Sequence, residues 1–239
     1  RVLGIPEPRA GSTPPADDPG RATARGTLAH AMLSEADLAA PPLERRAQLA
    51  AVAARRGYDP QGPGVRRIMA EVTAFAGSAG GRRLVQAARE GRLEREVPFL
   101  LRLAGDGTTV YLVGALDALV RGPRGELTVL DYKYATPRPE SAARYRLQLA
   151  AYALAAARAH PGVEVRAALQ FLRGDQRTLD LTPGAAKLAE LQRTAPLLAR
   201  QAATAREVSP AELGRDEARC RAEGCGFAGR CYGGHRAET

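Results

Sequence analysis

Val110-Tyr-Leu-Val-Gly-Ala-Leu-Asp-Ala-Leu-Val120, Gly122-Pro-Arg-Gly125 and Leu127-Thr-Val-Leu-Asp-Tyr-Lys133 are two apolar runs around a tight turn. Apolar runs bounded by Gly and Pro read as strands joined in a hairpin. A run around Glu94–Leu100 precedes them, separated by Gly105-Asp106-Gly107, so an antiparallel meander of three strands is expected. One acid interrupts each of the last two strands, Asp117 and Asp131. Aspartate is a poor strand former and is costly to bury unpaired. Alternation places residues i and i+2 on one face, so Asp131 and Lys133 point the same way. A register with Leu119 opposite Val129, or near it, would bring Asp117 close to Asp131.

Working outward, residues 1–22 are rich in Pro and Gly and read as a flexible linker. The first residue is Arg1 rather than Met, as expected for a piece of a longer polypeptide. From Thr23 the pattern is helical, with Leu28, Ala31, Met32, Leu33 and Leu38 at a rough 3.6 period up to Pro41-Pro42. A second helix is expected over Leu43–Arg56. A third runs over Val65–Arg89, weakened around Gly77–Gly81. After the meander, a helix from Ser141 to about Ala159 carries Leu147, Ala150, Ala151 and Leu154 on one face. Val163–Leu172 reads as a returning strand, and Gln176–Leu181 as a short one. Pro183 is expected in the first turn of a last long helix. The division is a linker over 1–22, a domain over 23–208 (helical part 23–91, core 92–208), and an irregular cysteine-bearing tail over 209–239. This order of elements is an α/β arrangement with helices flanking a mixed sheet.

The chain has 239 residues and a net charge of +9, with a pI of about 10.1. That balance favours a polyanionic partner, nucleic acid first and anionic lipid second. No long apolar stretch crosses a membrane and no secretory signal opens the chain, so a cytoplasmic location is expected. Of 35 Lys plus Arg, only Lys133 and Lys187 are lysine. Generic positive charge is supplied by arginine, which makes the position of a lysine informative.

Two close carboxylates repel each other unless a cation lies between them. All-oxygen ligation suits Mg²⁺, with Mn²⁺ as a substitute, and the backbone carbonyl of Tyr132 extends the donor set. Such an ion acidifies the water it binds. An ammonium beside it orients that water and offsets charge building on a phosphate, a task for which the planar guanidinium is ill suited.

Gly114-Ala-Leu-Asp117, Leu130-Asp-Tyr-Lys133 and Gln148-x-x-x-Tyr152, with Gly26-x-x-x-His30 and Glu96-x-Pro98-Phe99 upstream, resemble the PD-(D/E)XK nuclease superfamily. Its RecB-like branch, the nuclease domains of RecB- and AddAB-type helicase–nucleases, is the most similar. The resemblance covers about residues 23–175 and implies a restriction-endonuclease-like core with an N-terminal helical extension. It implies metal binding by His30, Asp117, Asp131 and the Tyr132 carbonyl, and catalysis by Asp117, Asp131 and Lys133. Gln148 and Tyr152 would face the site and the DNA strand, and Glu96 would be an auxiliary acid. The activity implied is Mg²⁺- or Mn²⁺-dependent DNA cleavage, exonucleolytic rather than endonucleolytic, in end resection and double-strand break repair. The substrate implied is single-stranded DNA delivered by an upstream helicase domain, with a second helicase–nuclease subunit as a further partner. The alternative is a catalytically inactive, nuclease-like DNA-binding scaffold. Cys220, Cys225 and Cys231 are similar to the iron–sulfur staple of some relatives, but no cysteine lies upstream and the first spacing differs. A remnant site with free thiols, zinc with His235 as a fourth ligand, and an iron–sulfur cluster all stay open.

Overall fold

The computed structural model of the chain describes residues 2–3, 22–105, 107–138, 141–205 and 218. The long strands β2 (Leu93–Gly105) and β3 (Thr108–Arg121) pair antiparallel from end to end except at Glu96 and Asp117. On the other edge of β3, β4 (Leu127–Lys133) pairs antiparallel with the C-terminal end, and Leu119 lies opposite Val129. The first strand, β1 (Val2–Leu3), sits on that same edge at Tyr111 and Leu112, parallel to β3, although its residues were expected in the linker. The sheet continues with β5 (Val165–Phe171), parallel to β4, and β6 (Thr178–Asp180), antiparallel to β5. The meander is therefore β2–β3–β4, and the parallel β4–β5 step needs a crossover.

That crossover is α5 (Ser141–Ala159), which packs on one face of the sheet with α6 (Ala185–Ala205). The other face carries α1 (Ala22–Glu35), α2 (Pro42–Arg55), α3 (Pro63–Gly77) and α4 (Ala79–Arg89), and α4 lies directly on the sheet, where a Cβ at Gly80 would stand 2.4 Å from Gln170 Oε1. Leu28, Met32, Leu49, Ile68 and Phe75 close this helical layer over Ala118, Leu130 and Tyr132 of the sheet. Burying each such side chain contributes about 1.5–3 kcal/mol of transfer free energy, and the helices are held by that shared core.

Three details differ from the periodicity reading. The expected helix over Val65–Arg89 is two helices. Ser78 is extended, and its hydroxyl accepts the Gly81 N–H to start α4. A Cβ at Gly81 would lie 1.8 Å from the Phe75 carbonyl oxygen, so the break needs glycine there. The last helix begins at Ala185, after Pro183 rather than around it. On α5, Leu147 is 54% exposed. The helix is wedged between the sheet and α6, so its buried stripes are Leu149, Ala153 and Ala156 on one side and Ala150 and Leu154 on the other.

Candidate active site

β3 and β4 diverge after the Ala118–Leu130 pair, and the candidate residues line the fork between them. Asp117 is the first residue of β3 beyond the ladder. Its Oδ2 accepts the Tyr132 backbone N–H at 2.7 Å, replacing the acceptor that a continued ladder would supply. A strand residue sends its N–H and C=O to the same edge, so the Tyr132 carbonyl also faces the fork. The acid in mid-strand is thus satisfied by backbone at the point where the sheet splits.

On the α5 side of the fork, Asp131 is 2% exposed. Gln148 Nε2 donates to Asp131 Oδ1 at 2.9 Å and lies 2.9 Å from the Tyr152 hydroxyl. Lys133 Nζ lies 2.6 Å from Asp131 Oδ2, but that oxygen has no aligned hydrogen-bond donor. The ammonium is also 3.4 Å from Gln148 Oε1 and 4.5 Å from the centre of the Tyr145 ring. Burial pushes the Asp131 carboxyl up to about 6, against the pull of Lys133. Gly114 supports this cluster from below. A Cβ there would stand 3.0 Å from the Phe99 ring, which meets Tyr152 edge-on at 5.5 Å.

On the α1 side, His30 Nδ1 lies 3.4 Å from Asp117 Oδ2. Burial opposes the imidazolium, but the Asp117 hydrogen bond and the charges of Asp117 and Asp131 outweigh it and raise the His30 pKa. Arg95 fixes this helix by donating to the Leu33 and Ala36 carbonyls at the end of α1. These are carbonyls a helix terminus leaves without partners. A cavity of about 590 Å³ opens here, lined by His30, Glu35, Arg56, Glu96 and Asp117 among others.

Glu96 and Asp117 stand opposite each other between the pairs Arg95–Ala118 and Val97–Leu116. Glu96 has φ +51°, a left-handed conformation that is rare for a non-glycine strand residue and costs about 1–3 kcal/mol. Both strands switch faces here. Leu93 packs with the α1–α3 layer but Val97 and Phe99 with α5, and Leu116 and Leu119 both pack with α5 although three residues apart. The kink leaves both carboxylates at the mouth of the fork. Burial and the Asp117 charge raise the Glu96 pKa.

The fold thus brings together His30, Asp117, Asp131, Tyr132, Lys133, Gln148 and Tyr152, with Glu96 at the cavity. Lys187, the other lysine, pairs with Glu190 on the surface of α6. Cys220, Cys225, Cys231 and His235 lie outside the described residues. The sequence reading overlooked Tyr145, Arg95 and the Glu35–Arg56 pair. Tyr145, at i−3 from Gln148, was the one with a spacing signal. Among the described residues, no three His, Cys, Asp or Glu side chains are already drawn together as a ligand set. The donors nevertheless fit a divalent cation: a buried Asp131 oxygen met only by the Lys133 ammonium, the Asp117 carboxylate and a carbonyl at the fork are hard ligands beside one imidazole.

The chain belongs to the PD-(D/E)XK nuclease superfamily, whose sequence profile matches residues 1–232. The mixed sheet flanked by helices, with its N-terminal helical part, is the restriction-endonuclease-like fold of that superfamily, whose members typically use Mg²⁺ or Mn²⁺. No curated protein matches the chain significantly. Among solved structures, the crystal structure of SSO0001 aligns at 17% identity and a TM-score of 0.35, over 65% of this chain and 72% of that one. No helix among the described residues is long and apolar enough to cross a membrane.

Proposed function

We propose that this chain is a Mg²⁺- or Mn²⁺-dependent deoxyribonuclease acting on single-stranded DNA, with the RecB-like set of site residues. The observation that carries the reading is the fork itself. Asp117, Asp131 and the chain's one inward-facing lysine meet where the sheet splits. His30 beside Asp117 and the Gln148–Tyr152 pair behind Asp131 support the RecB-like assignment. A cation held by His30, Asp117, Asp131 and the Tyr132 carbonyl would lower the pKa of its water and offset charge on the phosphate. Lys133, held by Asp131 and Gln148 over Tyr145, presents an ammonium that orients the attacking water and balances the charge developing on the phosphate. Gln148 sets the Asp131 carboxylate, and His30 sets that of Asp117. The +9 net charge supplies a salt-sensitive grip on DNA. In the cell this activity fits the nuclease module of a cytoplasmic helicase–nuclease that shortens DNA ends as an exonuclease during resection, with a helicase domain and a second subunit as partners.

The test is cleavage of end-labelled single-stranded DNA by the purified chain. The wild type should degrade it with Mg²⁺ or Mn²⁺ and not in EDTA, and Lys133→Ala and Asp131→Asn should each lower the activity by about a hundredfold to a thousandfold. Full metal-dependent cleavage by Lys133→Ala overturns the proposal. A second reading, a DNA-binding scaffold without catalysis, is favoured by the lack of a preassembled three-ligand set among the described residues. DNA binding with no cleavage at any Mn²⁺ concentration would select it.

A further inference from the structure

A second cavity, of about 310 Å³, lies on the α1 side beyond the C-terminal end of β4. Arg25, Pro63, Gly64, Arg67, Tyr134 and Arg173 line it. Three guanidiniums from three separate segments therefore face one space. The Arg67 and Arg173 Nε atoms each lie 3.3 Å from Glu71 Oε1, and Arg173 stacks 5.4 Å above the Tyr134 ring. Arg67 and Arg173 share the single Glu71 carboxylate, so this pair of guanidiniums keeps an excess of positive charge at the pocket. The first turn of α3, at Pro63 and Gly64, adds the positive end of a 15-residue helix. Convergent arginines with planar donor forks suit the oxygens of a phosphate.

The pocket adjoins the fork by two covalent routes. Tyr134 directly follows Lys133, and Arg25 precedes His30 on α1 by five residues, about 7.5 Å along the axis. Between them on α1 is Gly26, and among the described residues a Cβ there would meet nothing beyond its own helix backbone within 4 Å. Packing among the described residues therefore does not require this half-buried glycine.

We infer that this arginine pocket binds a phosphate group of the DNA strand whose scissile phosphate occupies the fork. The inference rests on the nuclease reading for the identity of that strand. The phosphate is either an internal diester or a terminal monoester, which share the chemistry the pocket recognises. Glu71 tunes the pocket by holding Arg67 and Arg173 toward each other while opposing part of their charge.

The test is DNA binding in EDTA, where no cleavage occurs, measured by anisotropy across a salt series with a labelled single-stranded oligonucleotide. Arg67→Ala and Arg173→Ala should each weaken binding and reduce the slope of log K against log salt by about 0.7, the value for one lost single-strand phosphate contact. Glu71→Gln should tighten binding and steepen the slope. Oligonucleotides ending in 5′-phosphate, 3′-phosphate or hydroxyls separate the two sources. A terminal preference that the arginine variants lose identifies a monoester, and equal slope loss on all three identifies a diester. Thermal melting of each variant checks folding. Unchanged affinity and slope in both arginine variants overturns the inference. So does a Glu71→Gln variant that binds more weakly and melts earlier, the result for a purely structural ion network. Failure of the nuclease reading looks different: DNA binding depends on the arginines, yet the wild type with Mn²⁺ cuts nothing.

Discussion

The two sides of the fork are built differently. On the α5 side, Asp131, Lys133, Gln148 and Tyr152 come from one short stretch of chain and are joined by ion pair and hydrogen bonds. On the α1 side, His30, Glu96 and Asp117 come from three distant elements, and the contact among them is the 3.4 Å histidine–aspartate pair. One side is local, tight and nearly buried; the other is long-range, strained at Glu96 and open to a cavity. On the proposed function the two sides would do different work. The closed side would set the lysine and its acid, and the open side would admit the cation and the phosphate.

The largest effects should come from the residues at the seam. Asp117→Ala should lower metal-dependent cleavage by about a hundredfold to a thousandfold, the same loss as expected of Lys133→Ala, while leaving DNA binding in EDTA intact. Equal binding with unequal cleavage would show that one side carries the chemistry alone. Next come the supports, where a loss of about 10–100-fold is expected for each. His30→Ala should raise the Mn²⁺ concentration needed for half-maximal activity, whereas Gln148→Ala should lower the maximal rate with little change in that concentration. A metal titration of both variants reads this directly, and identical curves would erase the distinction between the sides.

A smaller effect concerns stability. The Asp131 carboxyl titrates near 6 in the fold and near 3.8 as an ordinary aspartate, because burial disfavours its charge. The folded state therefore holds this proton more tightly, and the contribution of Asp131 to stability falls as pH rises from about 4 to 6. Against Asp131→Asn in EDTA, the wild type should lose on the order of 2 kcal/mol over that window, levelling off above about pH 7. Parallel denaturation curves at pH 4 and pH 7 would contradict this. The smallest effect belongs to Gly26. Gly26→Ala should stabilise α1 by up to about 1 kcal/mol, since alanine is the better helix former and space is open, and a rise in Tm checks it.

The same contrast decides what was legible in the sequence. The α5 side could be read because its residues are spaced by strand and helix periods, and because the Gly122–Gly125 turn sets the register that places Leu119 opposite Val129. Lys133 stood out because arginine fills nearly every other basic position. The α1 side depends on tertiary packing. Only the motif resemblance pointed to His30, and nothing local marks Arg95 as the residue that anchors its helix. The left-handed Glu96 has no sequence sign, since its conformation follows from standing opposite Asp117 where both strands turn over. Leu147 was assigned to the α5 core by a single-face pattern, whereas burial between the sheet and α6 uses two stripes and leaves it outside.

The central claim is that the two sides share one ion. Anomalous diffraction from crystals soaked in Mn²⁺, collected for the wild type and for Asp117→Asn, tests it most directly. The account predicts one peak in the wild type within coordination distance of His30, Asp117 and Asp131, weakened or lost in the variant. A fork without a peak in the wild type, or a peak bound by residues of one side alone, would contradict it.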